Sequence, residues 1–125
     1  MLNTCAERIE TEYNFRMSEL EEFWETEGDL SDYGILLEYM ALGSYPGQKE
    51  PYFRYQISKG TIHDEWRFFC DPKLTPLKIE YVLMDSGEFD AAKKEITGED
   101  FELLKNFFAF IDNMGEVKRA LNEKH

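Results

Sequence analysis

Between Pro51 and Asp85 the chain reads PYFRYQISKGTIHDEWRFFCDPKLTPLKIEYVLMD, three aromatic-rich runs in which apolar side chains return at every second position. A two-residue repeat places those side chains on one face of an extended strand. The spacing predicts three strands. In Tyr52–Ser58, Phe53, Tyr55 and Ile57 share one face, and Tyr52, Arg54 and Gln56 the other. In Glu65–Cys70, Trp66, Phe68 and Cys70 oppose Arg67 and Phe69. In Leu77–Met84, Leu77, Ile79, Tyr81 and Leu83 oppose Lys78, Glu80, Val82 and Met84. Lys59-Gly60 and Asp71-Pro72 supply the turns, and connections this short make neighbouring strands antiparallel.

The period changes on either side. A long amphipathic helix is expected from about Thr4 to Glu27: Leu2, Cys5, Ile9, Tyr13, Met17, Leu20 and Trp24 recur at steps of three and four, the signature of one helical face. Thr4 and Glu7 fit a capping box, Gly28 fits the stop, and the helix would be about 35 Å long. Asp29 to Asp32 reads as a polar connection. In Tyr33–Gly43, Ile35, Leu37 and Tyr39 alternate, and Gly34 and Gly43 bracket a strand-sized piece. An edge strand is expected there, although a helix also fits. Pro46-Gly47 marks a turn. Asp85-Ser86-Gly87 ends the predicted sheet, and Glu88–Ile96 is expected to be irregular or a short helix. Thr97 then caps a helix, with Asp100 at the capping-box position and Phe101, Leu104, Phe107, Phe108 and Ile111 as its stripe. Gly115 ends that helix, and Glu116–Asn122 continues as a short one carrying Val117 and Leu121.

This order predicts an α+β two-layer sandwich, an antiparallel sheet of about four strands flanked by a long N-terminal helix and one or two C-terminal helices. Residues 1–125 are expected to form one domain, long enough to bury roughly two thirds of the unfolded surface. The helices would cover Phe53, Tyr55, Ile57, Trp66, Phe68, Ile79 and Tyr81. Cys5 and Cys70 stand far apart in no paired motif, which suits reduced thiols in a cytoplasmic protein. MLNTCAERIE lacks the pattern of a signal peptide, and no apolar run approaches the ~20 residues of a membrane span.

Charge is the second constraint. The chain holds 26 acids and 14 bases, a net of −12. Residues 1–50 hold 12 acids and 3 bases, a net of −9; residues 51–85 hold 5 and 5; residues 86–125 hold 9 and 6, a net of −3. Such a field disfavours direct binding to nucleic acid or an anionic membrane and favours a basic protein partner. The first candidate surface is therefore the acidic helix, with Glu10, Glu21, Glu22 and Glu25 facing outward. A row of carboxylates can imitate the phosphates of DNA and block a basic DNA-handling protein. Ordinary solvation of an amphipathic helix accounts for the same residues, since Glu favours helices.

The second candidate is the sheet face that the helices leave open, with Tyr52, Arg54, Gln56, Arg67 and Phe69 beside Lys78 and Glu80. Rings next to guanidinium groups can stack a ring or nucleotide, bind an acidic segment, or meet a second copy of the chain. Cross-strand ion pairing on a solvated face is the ordinary alternative. His63-Asp64-Glu65 has metal-binding residue types, but consecutive strand residues point in different directions, so no metal is expected. His63 with Cys70 or Ser58 lacks a third orienting group for nucleophilic catalysis. Gly43-Ser44-Tyr45-Pro46-Gly47-Gln48-Lys49 is no phosphate loop, because its glycines are three residues apart rather than four and Pro46 removes an amide donor. No catalytic residue and no cofactor are expected.

SDYGILLEY, PYFRYQISKG and DEWRFFCD followed by LKIEYVLMD are similar to segments of small acidic proteins carried on bacterial plasmids and other mobile elements. The resemblance covers about Asp32 to Asp85 and implies a bacterial accessory protein, with no site residues attached. The function expected is a non-enzymatic acidic protein-binding module, in its sharper form a nucleic-acid mimic. The alternatives are a small-ligand or nucleotide-binding module on the sheet face, and a self-associating structural protein.

Overall fold

The computed structural model describes residues 4–26 and 36–123. In chain order they form helix α1 (Cys5–Thr26), strands β1 (Leu36–Met40), β2 (Tyr52–Gln56), β3 (Ile62–Cys70), β4 (Pro76–Asp85) and β5 (Asp90–Glu95), then helices α2 (Gly98–Asn113) and α3 (Glu116–Asn122). The strands make one antiparallel sheet in the order β1-β2-β3-β4-β5. The helices lie on one face of it, α1 against β4 and β5, α2 against β4 and α3 against β1. This is the α+β architecture that the change of period implies. Leu2, Glu27, Gly28, the Asp29–Asp32 connection, Tyr33 to Ile35 and His125 lie outside the described residues.

The α1 stripe buries Cys5, Ile9, Tyr13, Met17, Leu20 and Phe23. Trp24, expected as the last residue of the stripe, is half-buried, with its ring edge-on to Phe110 at 5.5 Å. The capping box forms as expected: the Thr4 N–H donates to Glu7 Oε1 at 3.1 Å, and the Glu7 N–H donates to Thr4 Oγ1 at 3.2 Å. The first bond satisfies an amide that the helix start would otherwise leave unpaired, and together with the Thr4 hydroxyl, which donates to Glu7 Oε1 at 2.9 Å, it holds the Glu7 carboxyl below its ordinary pKa. On α2, Phe107 meets Tyr55 at 5.3 Å, and Phe108 meets Phe68 at 4.9 Å and Phe53 at 5.5 Å. These contacts join α2 to the middle of the sheet. The core face of the strands carries Phe53, Tyr55, Ile57, Trp66, Phe68, Ile79 and Tyr81, all buried.

Three expectations need correction. Residues 90–95 form a fifth strand rather than irregular chain or helix. Asp-Ala-Ala-Lys-Lys-Glu is a poor strand former by composition, and pairing with β4 from Glu80↔Glu95 to Asp85↔Asp90 overrides that preference. The composition still suits an edge. Ala92 packs on the core, and Lys94 reaches across to Glu10 at 2.8 Å and over the Tyr13 ring at 5.2 Å. Leu77 is 68 % exposed rather than buried. The register slips between Phe69↔Lys78 and Cys70↔Pro76, so Leu77 is the extra residue of a β-bulge and leaves the alternation. Finally, Thr97 is the N-cap of α2 but makes no side-chain capping bond. Asp100 instead accepts a hydrogen bond from the Tyr13 hydroxyl, which ties α2 to α1.

Candidate functional site

Strand alternation sends every second side chain to the face away from the helices, and the register aligns those side chains in rows. One row runs Glu38, Arg54, Arg67, Glu80 and Glu95. Beside it the Tyr52 and Phe69 rings meet at 5.2 Å, and Phe69 stands opposite Lys78. All five predicted sheet-face residues are on this side, but only three converge. Tyr52, Arg67 and Phe69 line one cavity, whereas Arg54 pairs with Glu38 and the Gln56 amide donates to the Ser58 carbonyl at 3.5 Å.

The cavity, of about 320 Å³, lies between this face and the connection from β1 to β2, residues 41–51. Its sheet wall is Tyr52, Arg67, Phe69, Lys78, Glu80 and Lys93, and the connection adds Tyr45, Lys49 and Glu50. Gln48 staples the connection in place. Its Nε2 donates to the carbonyls of Met40 at 3.0 Å and Glu50 at 3.1 Å, and its Oε1 accepts from the Ser44 N–H at 2.9 Å. Gly47 takes the left-handed turn conformation, φ +82°.

Two of the cations in the cavity, Arg67 and Lys78, are held by rings beneath them and carboxylates beside them. The Arg67 guanidinium lies 4.8 Å from the Tyr52 ring centre, and its Nε donates to Glu65 at 2.6 Å. Burial opposes the charge on Arg67, but the Glu65 carboxylate outweighs it and raises the pKa. Lys78 Nζ sits 4.3 Å over Phe69 and donates to Glu50 at 2.7 Å, a bond that raises its pKa. Lys93 Nζ stands 3.9 Å from Glu80. The Tyr52 hydroxyl is driven well above its ordinary pKa by burial and by its hydrogen bond with Tyr45 at 3.2 Å.

The other candidate, the outer face of α1, has a different character. Glu10, Glu21, Glu22 and Glu25 are exposed there, as is Glu7. Glu10 is paired with Lys94 at 2.8 Å. The two arginines of α1 are half-buried and engaged, Arg8 with Glu12 at 3.4 Å and Arg16 with Glu19 at 2.7 Å and Asp64 at 2.6 Å. Phe15 is 56 % exposed on the same side.

Between the two faces lies a polar cluster that the sequence pattern does not reveal. Asp64 Oδ2 accepts from Arg16 Nε at 2.6 Å and the Tyr81 hydroxyl at 2.5 Å; Oδ1 accepts from Ser58 Oγ at 2.6 Å and Arg16 Nη2 at 3.1 Å. The Asp64 side chain is 2 % exposed, so four donors stand in for water around a buried carboxylate. The available signal was phase: Asp64 is in step with Trp66 and Phe68 and therefore points at the helices. Glu65 points the other way to Arg67, and His63 Nδ1 lies 3.0 Å from the Gly60 carbonyl, so the three residues diverge. Among the described residues no three His, Cys, Asp or Glu side chains gather to hold a metal ion. Burial pushes the Cys70 thiol up to about 12, and Cys5 is raised by the same cause. Cys70 opens on a second cavity, of about 390 Å³, lined mainly by apolar residues including Tyr39, Phe53, Leu74 and Leu121.

No helix among the described residues is long and apolar enough to cross a membrane. The chain matches no protein-family model, no curated protein and no solved structure.

Proposed function

We propose that the protein works by binding rather than catalysis, as an acidic module whose α1 outer face docks on a basic protein partner. The observation that carries this is the sorting of charge on α1. Its seven glutamates outnumber its two arginines, both arginines are half-buried and held in ion pairs, and the exposed side carries five carboxylates together with Phe15, whose ring lies 5.4 Å from the Arg16 guanidinium. An exposed aromatic on an acidic helix suits a protein interface, where the ring supplies burial and the flanking carboxylates supply steering and selectivity.

Magnitude narrows the mimicry version. Glu7 to Glu25 spans about 27 Å at ~1.5 Å per residue. Five exposed carboxylates on that length give roughly one per 7 Å, about half the density of one DNA strand at ~3.4 Å per phosphate. They also fall in two groups, Glu7 with Glu10 and Glu21 with Glu22 and Glu25, separated by the Phe15 segment. A basic surface that also receives an aromatic fits this spacing better than one that reads only a phosphate row. The setting of a bacterial mobile element, implied by the strand resemblance, is compatible with such a binder.

The test is capture from bacterial lysate on the immobilised protein, eluted along a salt gradient, against a variant carrying Glu10→Lys, Glu21→Lys, Glu22→Lys and Glu25→Lys. A basic protein released at moderate salt from the parent and missing from the variant is the expected result. A partner held equally by both proteins would remove α1 as the docking face. Recovery of only the protein itself would favour self-association.

A further inference from the structure

We propose that the cavity beneath the β1–β2 connection binds a small ligand bearing a phosphate-monoester dianion, and that Glu50 is a resident carboxylate which this ligand displaces. The inference is independent of the α1 face. It starts from a local reversal of charge: in a chain of net −12, four cations (Lys49, Arg67, Lys78 and Lys93) line one cavity with only Glu50 and Glu80 among its lining carboxylates.

Several of their donors are unspent. Arg67 uses Nε on Glu65, which leaves both Nη groups without a protein acceptor among the described residues. Lys93 is 3.9 Å from Glu80, beyond hydrogen-bond distance. Two of the cations, Arg67 and Lys78, are also fixed in advance. Tyr52 lies under the guanidinium and Phe69 under the Lys78 ammonium, while Glu65, 2 % exposed, anchors Arg67 from behind. Preorganised cations lose little freedom on binding.

The shape of the donor set selects the ligand. A guanidinium edge and ammonium groups approach from separate strands and from the connection. A tetrahedral dianion accepts donors from several directions and takes two parallel bonds from an arginine fork. A single carboxylate fills only part of this set, and Glu50 already supplies one to Lys78 at 2.7 Å. Glu50 is 49 % exposed and comes from the connection, so it can swing out without disturbing the sheet. The volume suits a small molecule, and the acidity elsewhere repels long polyanions.

The experiment is a titration of the ¹⁵N-labelled protein, followed by amide shifts, with phenyl phosphate and inorganic phosphate, and with citrate and chloride at matched ionic strength. Saturable shifts at Tyr45–Tyr52, Arg67, Phe69 and Lys78, produced by the phosphates at ~10 mM or below, are expected. Glu50→Gln removes the internal competitor and should tighten binding several-fold, while Lys49→Ala with Lys93→Ala should weaken it. Both sets are surface changes that leave Arg67 and its buried partner intact. Equal shifts with chloride, saturation by citrate alone, or unchanged affinity in Glu50→Gln would overturn the proposal.

Discussion

The outer face of α1 and the open face of the sheet are both rich in charge, yet they handle it in opposite ways. On the outer face of α1 five carboxylates are exposed and in excess, while both arginines are half-buried and held in ion pairs. On the sheet, cations and carboxylates are interleaved across strands, several of them half-buried or buried, and Arg67 and Lys78 lie over aromatic rings. Exposed excess charge contributes little to stability and remains available for long-range attraction. Buried, matched charge constrains geometry, and removing one partner is costly. The helix face can therefore change without unfolding the protein, whereas the sheet face is part of the fold.

The sharpest way to break this contrast is Arg67→Ala. It strands the Glu65 carboxylate, 2 % exposed, and should cost about 3–5 kcal/mol in urea unfolding. A loss under about 1 kcal/mol would mean that the sheet charges are as dispensable as those of the helix.

Alkaline pH comes next. Burial raises Cys70, Tyr52, Tyr13 and Tyr81 above their ordinary values of 9.0 for the thiol and 10.0 for the phenols. A group raised in the folded state contributes its stability below the unfolded pKa and loses it as pH climbs toward the folded one. The urea midpoint should therefore hold to about pH 9 and then fall, first through Cys70, whose window closes near 12, and then through the tyrosines. Tyr13→Phe should remove one α1 contribution to that fall without touching the sheet face. A flat midpoint to pH 11 would show that these groups ionise freely in the folded protein.

Thr4→Ala removes a capping bond and should cost about 1 kcal/mol, read from the same unfolding curves. Smallest is the fourfold Glu→Lys variant of α1, whose unfolding free energy should move by less than about 1 kcal/mol even though its partner binding is lost. A large destabilisation would make the helix face structural after all.

Much of this was legible in the sequence because each element buries one face at its own period. Phe53, Tyr55, Trp66, Phe68, Ile79 and Tyr81 alternate, and the α1 and α2 stripes recur as helices require. The misses share a cause: in each, a tertiary contact outweighed a local preference. Strand β5 has a helix-like composition and is held extended by β4. Leu77 leaves the alternation because a bulge takes up one residue. Asp100 gives up a cap for a tyrosine on another helix. The candidate site was half visible. Alternation placed Tyr52, Arg67 and Phe69 on the open face. The gathering of Lys49 and Glu50 above them depends on how Gln48 folds the connection, and Lys93 arrives on a strand that was not expected.

The strand order also has a consequence for assembly. Every strand pairs with its neighbour in sequence, so the sheet can close hairpin by hairpin through nearby contacts. The attachments of α1 are the reverse: they join residues 48, 85 and 87 positions apart, to Asp64, Asp90 and Asp100. During synthesis α1 leaves the ribosome before the sheet and has no finished surface to meet until β5 has followed it. Its buried stripe, from Ile9 to Phe23, then waits for cover while all five strands are made, and is a segment of the nascent chain on which a chaperone can act.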